Sequence, residues 1–104
     1  MGETKLISHW RNELAYAAEG PQPHILLEDE NVRVLIAGLE AGQKIPPHPE
    51  ATAMYHFLEG CGWMITDGER LPVGPGATVV MPAGTVRGIE AETRLAFLAT
   101  RITT

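Results

Sequence analysis

The chain has 104 residues, which is room for one domain with one modest core. Its 13 acidic and 8 basic residues give a formal charge of −5, which argues against nucleic acid as a partner because phosphate recognition needs a basic surface. Hydrophobic residues make up 44%, enough to exclude a disordered chain, and no apolar run reaches the ~20 residues that span a bilayer, so no membrane partner is expected.

The N-terminus is polar rather than signal-like, and Cys61 is the single cysteine, so no internal disulfide can form. A cytoplasmic location is the expectation. Residues 1–23 read as an N-terminal arm or short helix. Ser8 is a candidate cap for a helix from Trp10 to Ala18, stopped by Gly20 and Pro21, with Trp10, Leu14 and Ala17 on one face.

From residue 24 to 104 the pattern changes to short apolar runs punctuated by glycine and proline, the mark of an all-β domain. The first predicted strand is His24 to Glu28, closed by a turn at Asp29. Val32 to Leu39 is β-branched, mostly apolar and poorly alternating, which predicts burial on both faces. Pro46, Pro47 and Pro49 exclude a central strand around His48, because proline cannot donate to a ladder; the segment reads as an extended rim. Ala53 to Leu58 is a strand. Asp67-Gly68, between Trp63–Thr66 and Glu69–Leu71, is a two-residue hairpin signal. Ala77 to Met81, Val86 to Ile89 and Leu95 to Ile102 complete eight or nine strands, a count that fits a sandwich or barrel. Gly60, Gly76 and Gly84 are placed where turns call for positive φ.

The stretch from Gly42 to Arg87 resembles the two signature motifs of the cupin superfamily, and the likeness in turn pattern covers roughly residues 31–102. Gly42 stands at the right distance before His48. The second histidine slot then holds Glu50, and the acid slot falls on Ala53 or Met54 according to the anchor. A shifted alignment puts Pro46 in the first slot and His48 in the second. In the second motif Gly76, Pro82 and Gly84 match, Arg87 replaces the histidine and Ala91 the asparagine. The residues that shape the backbone are present and most metal ligands are not. The resemblance implies a cupin-type jelly-roll β-barrel whose polar side chains point into a cup, and a homodimer, which is also the commonest oligomer. Trp10, Leu14 and Tyr16 in the arm are candidates to reach a partner.

Arg87 carries the sharpest expectation. A guanidinium keeps its proton and repels a divalent cation, so in that slot it would bind a carboxylate, phosphate or enolate oxygen, or pair with Glu50. His48, stiffened by flanking prolines, is a candidate base or hydrogen-bond partner, and Glu50, two residues on, is a candidate to orient it. These two are the catalytic candidates; Arg87, His48, Glu50, Tyr55 and Phe57 are the ligand-binding ones. His56 faces in or out according to the register of its strand, since a one-residue slip flips every side chain. Three readings follow: a small cupin that binds a small anion without a cofactor, with isomerase, epimerase or cyclase chemistry; a cupin enzyme, such as a dioxygenase or isomerase, with a divalent transition metal on His48, Glu50 and His56; and a non-catalytic dimeric sensing or structural module.

Overall fold

The computed structural model describes residues 3–103. Nine strands follow one short helical turn: β1 (His24–Glu28), β2 (Val32–Leu39), β3 (Lys44–Pro49), β4 (Thr52–Glu59), β5 (Gly62–Thr66), β6 (Glu69–Val73), β7 (Thr78–Met81), β8 (Val86–Ala91) and β9 (Leu95–Ile102). They form two sheets, ordered β1-β2-β9-β4-β7 and β3-β8-β5-β6, with every pairing antiparallel. This is the expected all-β jelly roll, built as a sandwich of two sheets that do not close into one continuous ladder. Closure needs a continuous ladder, and both edges of the second sheet carry proline: Pro46, Pro47 and Pro49 on β3, Pro72 on β6.

Register lays the interior out in rows. Across the five-stranded sheet one row carries Arg33, Arg101, Ala53 and Met81, and the next carries Leu35, Ala99, Tyr55 and Val79. Ala37, Phe97 and Phe57 follow, then Leu39 and Leu95. On the facing sheet His48, Arg87 and Thr66 make one row, and Ile45, Ile89, Met64 and Leu71 the next. The deeper rows are apolar, with Leu39, Phe57, Met64 and Leu95 fully buried. Each such side chain contributes roughly 1.5–3 kcal/mol of transfer free energy. Charge is confined to the first row of each sheet, so the sandwich has an apolar floor and a polar mouth.

The turns follow the local sequence. Asp67 (φ 48°) and Gly68 (φ 88°) close the β5–β6 hairpin, and the Asp67 side chain accepts the Val86 N–H at 2.9 Å. Gly60, Gly76 and Gly84 all have positive φ, between 84° and 88°.

The arm departs from the helical expectation. Only Trp10–Glu13 is helical, a single 3₁₀ turn that Ser8 does not cap; from Leu14 the backbone is extended. Tertiary contacts decide this, because Leu14 and Tyr16 lie flat over Gly38 of β2. A Cβ at Gly38 would sit 2.8 Å from the Tyr16 ring and 3.2 Å from Leu14. The arm is clamped to its own chain. Arg11 donates to Glu59 at 2.5 Å, Tyr16 to the same carboxylate at 3.2 Å, and Gln43 Nε2 to the Ala17 carbonyl at 2.7 Å. Leu14 and Tyr16 thus make contacts within their own chain. Their cover also explains why the second half of β2 is buried on both faces.

Candidate functional site: the charged mouth of the cup

Arg87 is the largest fully buried side chain, only 1% exposed. Its place follows from β8, where alternation sends Arg87, Ile89 and Ala91 inward. Nε donates to the Thr85 carbonyl at 3.2 Å, and Nη2 to the carbonyls of Glu50 and Pro82, each at 3.3 Å. The turn that presents these carbonyls is built by its own sequence. Gly84 adopts φ 88° and its N–H reaches the Glu50 carbonyl at 2.9 Å, while Thr85 Oγ1 donates back to Pro82 at 2.9 Å. Nη1 is buried and has no hydrogen-bond partner. Leaving such a group unmade costs the desolvation of a charged donor, so a buried guanidinium with one idle NH₂ is an unusual thing for a small domain to keep.

The neighbours are those of the first row. His48 lies directly across the β3–β8 ladder from Arg87 and Thr66 across the β5–β8 ladder. His48 is half-exposed at the rim. Its Nδ1 lies 3.0 Å from the Pro46 carbonyl, which can only accept, so Nδ1 carries the proton and Nε2 is the free nitrogen of the neutral ring. That Nε2 stands 3.6 Å from Glu50 Oε2. Glu50 does not pair with the Arg87 guanidinium as the sequence allowed: its backbone carbonyl serves Arg87, while its carboxylate takes a 2.8 Å bond from Arg101. Burial pushes the Glu50 carboxyl up, but the Ala51 N–H, the Arg101 guanidinium and, when its ring is protonated, His48 hold it below the usual carboxylate range.

Tyr55 occupies the second row, its ring stacked on Phe97 at 5.4 Å. It is within electrostatic reach of Arg87, Arg101 and Glu50. Burial raises its hydroxyl above the ordinary value, against the pull of the two guanidiniums, so it stays a neutral donor. A cleft of about 240 Å³ opens beside this group, lined by Arg33, Glu50, Arg101, Thr103 and the acidic run Glu28–Glu30.

Two expected site residues fall elsewhere. Phe57 is fully buried one row deeper than Tyr55, against Phe97 at 5.9 Å, and belongs to the floor. His56 lies on the outer face, because Ala53, Tyr55 and Phe57 take the inner one. Its Nδ1 meets Thr78 Oγ1 of the neighbouring strand at 2.7 Å. The set of His48, Glu50 and His56 is thus divided between two faces, and among the described residues no three histidine, cysteine or acidic side chains converge as metal ligands. A divalent cation does not suit this donor set: the slot facing His48 holds a fixed positive charge already.

Arg101 is the member that sequence reading overlooked. Its signal was the alternation of Leu95, Phe97, Ala99 and Arg101 along one inward face of β9. The ending of that apolar run in a cation marks where the floor gives way to the mouth.

No protein-family model matches the chain, and no curated protein matches it in sequence. Solved structures do. A conserved Streptococcus pyogenes protein of unknown function matches over 100% of this chain and 91% of its own, at 23% identity and a TM-score of 0.87. An RmlC-like cupin protein from Desulfovibrio desulfuricans matches over 98% and 96%, at 26% identity and a TM-score of 0.80. A predicted oxalate decarboxylase from Thermotoga maritima matches over 81% of each chain, at 24% identity and a TM-score of 0.75. Together with the two-sheet topology, these likenesses show the fold of the cupin superfamily, RmlC-like and of double-stranded β-helix type.

Proposed function

We propose that this chain binds a small organic anion at the mouth of the cup, with Arg87 as the anchor. The observation that carries the reading is the idle Nη1 of a guanidinium that is otherwise fully engaged and fully buried. A carboxylate oxygen there would complete its hydrogen bonds and neutralise its charge in a low-dielectric setting, where such pairs are strongest. Tyr55 supplies a second, neutral donor. The fold by itself is silent on this point, since cupins serve many chemistries.

The reading has a direct test. Propionate is titrated into the wild-type chain and into Arg87→Met, with melting temperature and calorimetric heat as readouts. A ligand at tenfold its Kd adds about 1.4 kcal/mol to stability, which is roughly 6–10 °C for a domain of this size. Wild type should gain it and Arg87→Met should not; equal responses, or none in wild type, remove the proposal. Tyr55→Phe, which keeps the ring and its stacking, should weaken binding about tenfold.

One further feature favours proton transfer at the same place. His48 presents Nε2 as an acceptor at the rim, across the ladder from Arg87. In an isomerase, epimerase or cyclase step, His48 would take a proton from the carbon next to a carbonyl while Arg87 holds the enolate oxygen, and the proton would return to a different atom or face. Exchange of that carbon-bound hydrogen in heavy water, followed by NMR and lost in His48→Ala, is the measurement that checks it.

A further inference from the structure

The six arginines of the chain divide sharply. Arg11 pairs with Glu59, Arg33 with Glu28, Arg70 with Glu90, Arg94 with Glu40 and Arg101 with Glu50. Arg87, the one that is buried, has carbonyl partners and no acidic one among the described residues. Inside the mouth two guanidiniums, Arg87 and Arg101, thus face one carboxylate, Glu50, while the adjoining cleft is lined by the acidic run Glu28–Glu30. His48 on β3 and Tyr55 on β4 add no fixed charge in their neutral forms. Across β9 from Arg101, Arg33 is already matched by Glu28.

We infer that the site selects a small monocarboxylate over a dicarboxylate, and that Glu50 is the residue that enforces the choice. This rests on the anion-binding reading above and narrows it. One carboxylate on Arg87 balances its unmatched charge, and the acidic run Glu28–Glu30 beside the mouth disfavours any further negative charge. A second carboxylate on the same short molecule falls next to Glu50, whose side chain is only a quarter exposed and already holds Arg101 Nη1 at 2.8 Å. It can then either face Glu50 as a like charge or displace it from Arg101 and leave Glu50 itself unpaired. Both outcomes penalise the dianion, because like charges in a partly desolvated site repel far more than in water. The acid in this position thus works as a filter rather than as a ligand for the substrate.

Matched pairs of acids test this: propionate against malonate, and butyrate against succinate, titrated by calorimetry into the wild-type chain at pH 7 and low ionic strength. The expected result is at least tenfold tighter binding of the monocarboxylate in each pair. Glu50→Gln should close or invert that gap by raising dicarboxylate affinity. Wild-type chain that binds malonate as well as propionate overturns the inference while leaving anion binding intact, as does an unchanged ratio in Glu50→Gln. Should none of the four acids bind wild type, the parent reading fails and this one with it. The wild-type comparison alone is decisive if Glu50→Gln does not fold.

Discussion

Two parts of this molecule are built from the same residue types and close differently. Under the arm, Arg11 and Arg94 meet Glu59 and Glu40, and Tyr16 bridges them: its hydroxyl reaches Glu59 and the Arg94 guanidinium lies 4.7 Å over its ring. Two cations face two anions, near solvent, and nothing is left over. At the mouth Arg101 meets the Glu50 carboxylate, Arg87 meets only backbone carbonyls, and Tyr55 lies beside them. There the surplus cation is the one that water cannot reach. Both tyrosines have hydroxyls raised chiefly by burial; at Tyr16 the next influence is Glu59, which raises it ahead of the opposing Arg94 and Arg11, while at Tyr55 the opposing Arg87 and Arg101 come ahead of the raising Glu50. A balanced cluster holds structure together; an unbalanced buried one carries a standing cost that a ligand would relieve.

Supplying the missing acid is the strongest way to break the contrast. Thr66 lies directly across the ladder from Arg87, on the same face. Thr66→Glu should pair with Nη1, stabilise the chain by about 2 kcal/mol in denaturant titration, and abolish the response to propionate. A variant that is destabilised and still answers propionate would undo the argument.

The paired arginines should differ in proportion to burial. Arg101→Met strips Glu50 of its main counter-charge in a mostly buried place and should cost about 1–2 kcal/mol, below the range for fully buried pairs because the carboxylate keeps some water. Arg94→Met opens an exposed pair with Glu40, and its effect should be smaller than that of Arg101→Met and shrink with added salt. Chemical denaturation of the two variants side by side measures the difference.

The smallest effect is the acid limb. Glu50 has its folded-state value depressed below 4.5, so its ionised form adds stability that is complete above the unfolded-state value and disappears as pH falls through the folded-state one. Glu40 and Glu59, held down first by hydrogen bonds from Arg94 and Arg11, act with the same sign. Melting temperature should be flat from pH 7 to about 5 and decline below 4.5. In Glu50→Gln that decline should be shallower, and an unchanged slope would show that Glu50 is not tied to Arg101 in solution.

Much of the fold was legible because its signals are local. Gly76 reports the turn before β7, Pro82 and Gly84 the turn before β8, Asp67-Gly68 reports a hairpin, and the prolines around His48 report an edge, each through backbone sterics that need no distant partner. The arm misled for the opposite reason. Its sequence reads as a helix from Trp10 to Ala18, but the flat landing of Leu14 and Tyr16 on Gly38 stabilises an extended chain, and nothing near residue 16 announces a glycine at 38.

The site divides along the same line. The sequence by itself determined that a guanidinium stands at position 87, in a turn framed by Pro82 and Gly84, since residue identity and turn chemistry are properties of a short segment. Only the tertiary structure decided its company: the direction of His56, the sinking of Phe57 into the floor, and the diversion of Glu50 to Arg101. Those outcomes depend on strand register and on residues fifty positions apart, and electrostatic partnership is set by distance in space, which a sequence does not contain.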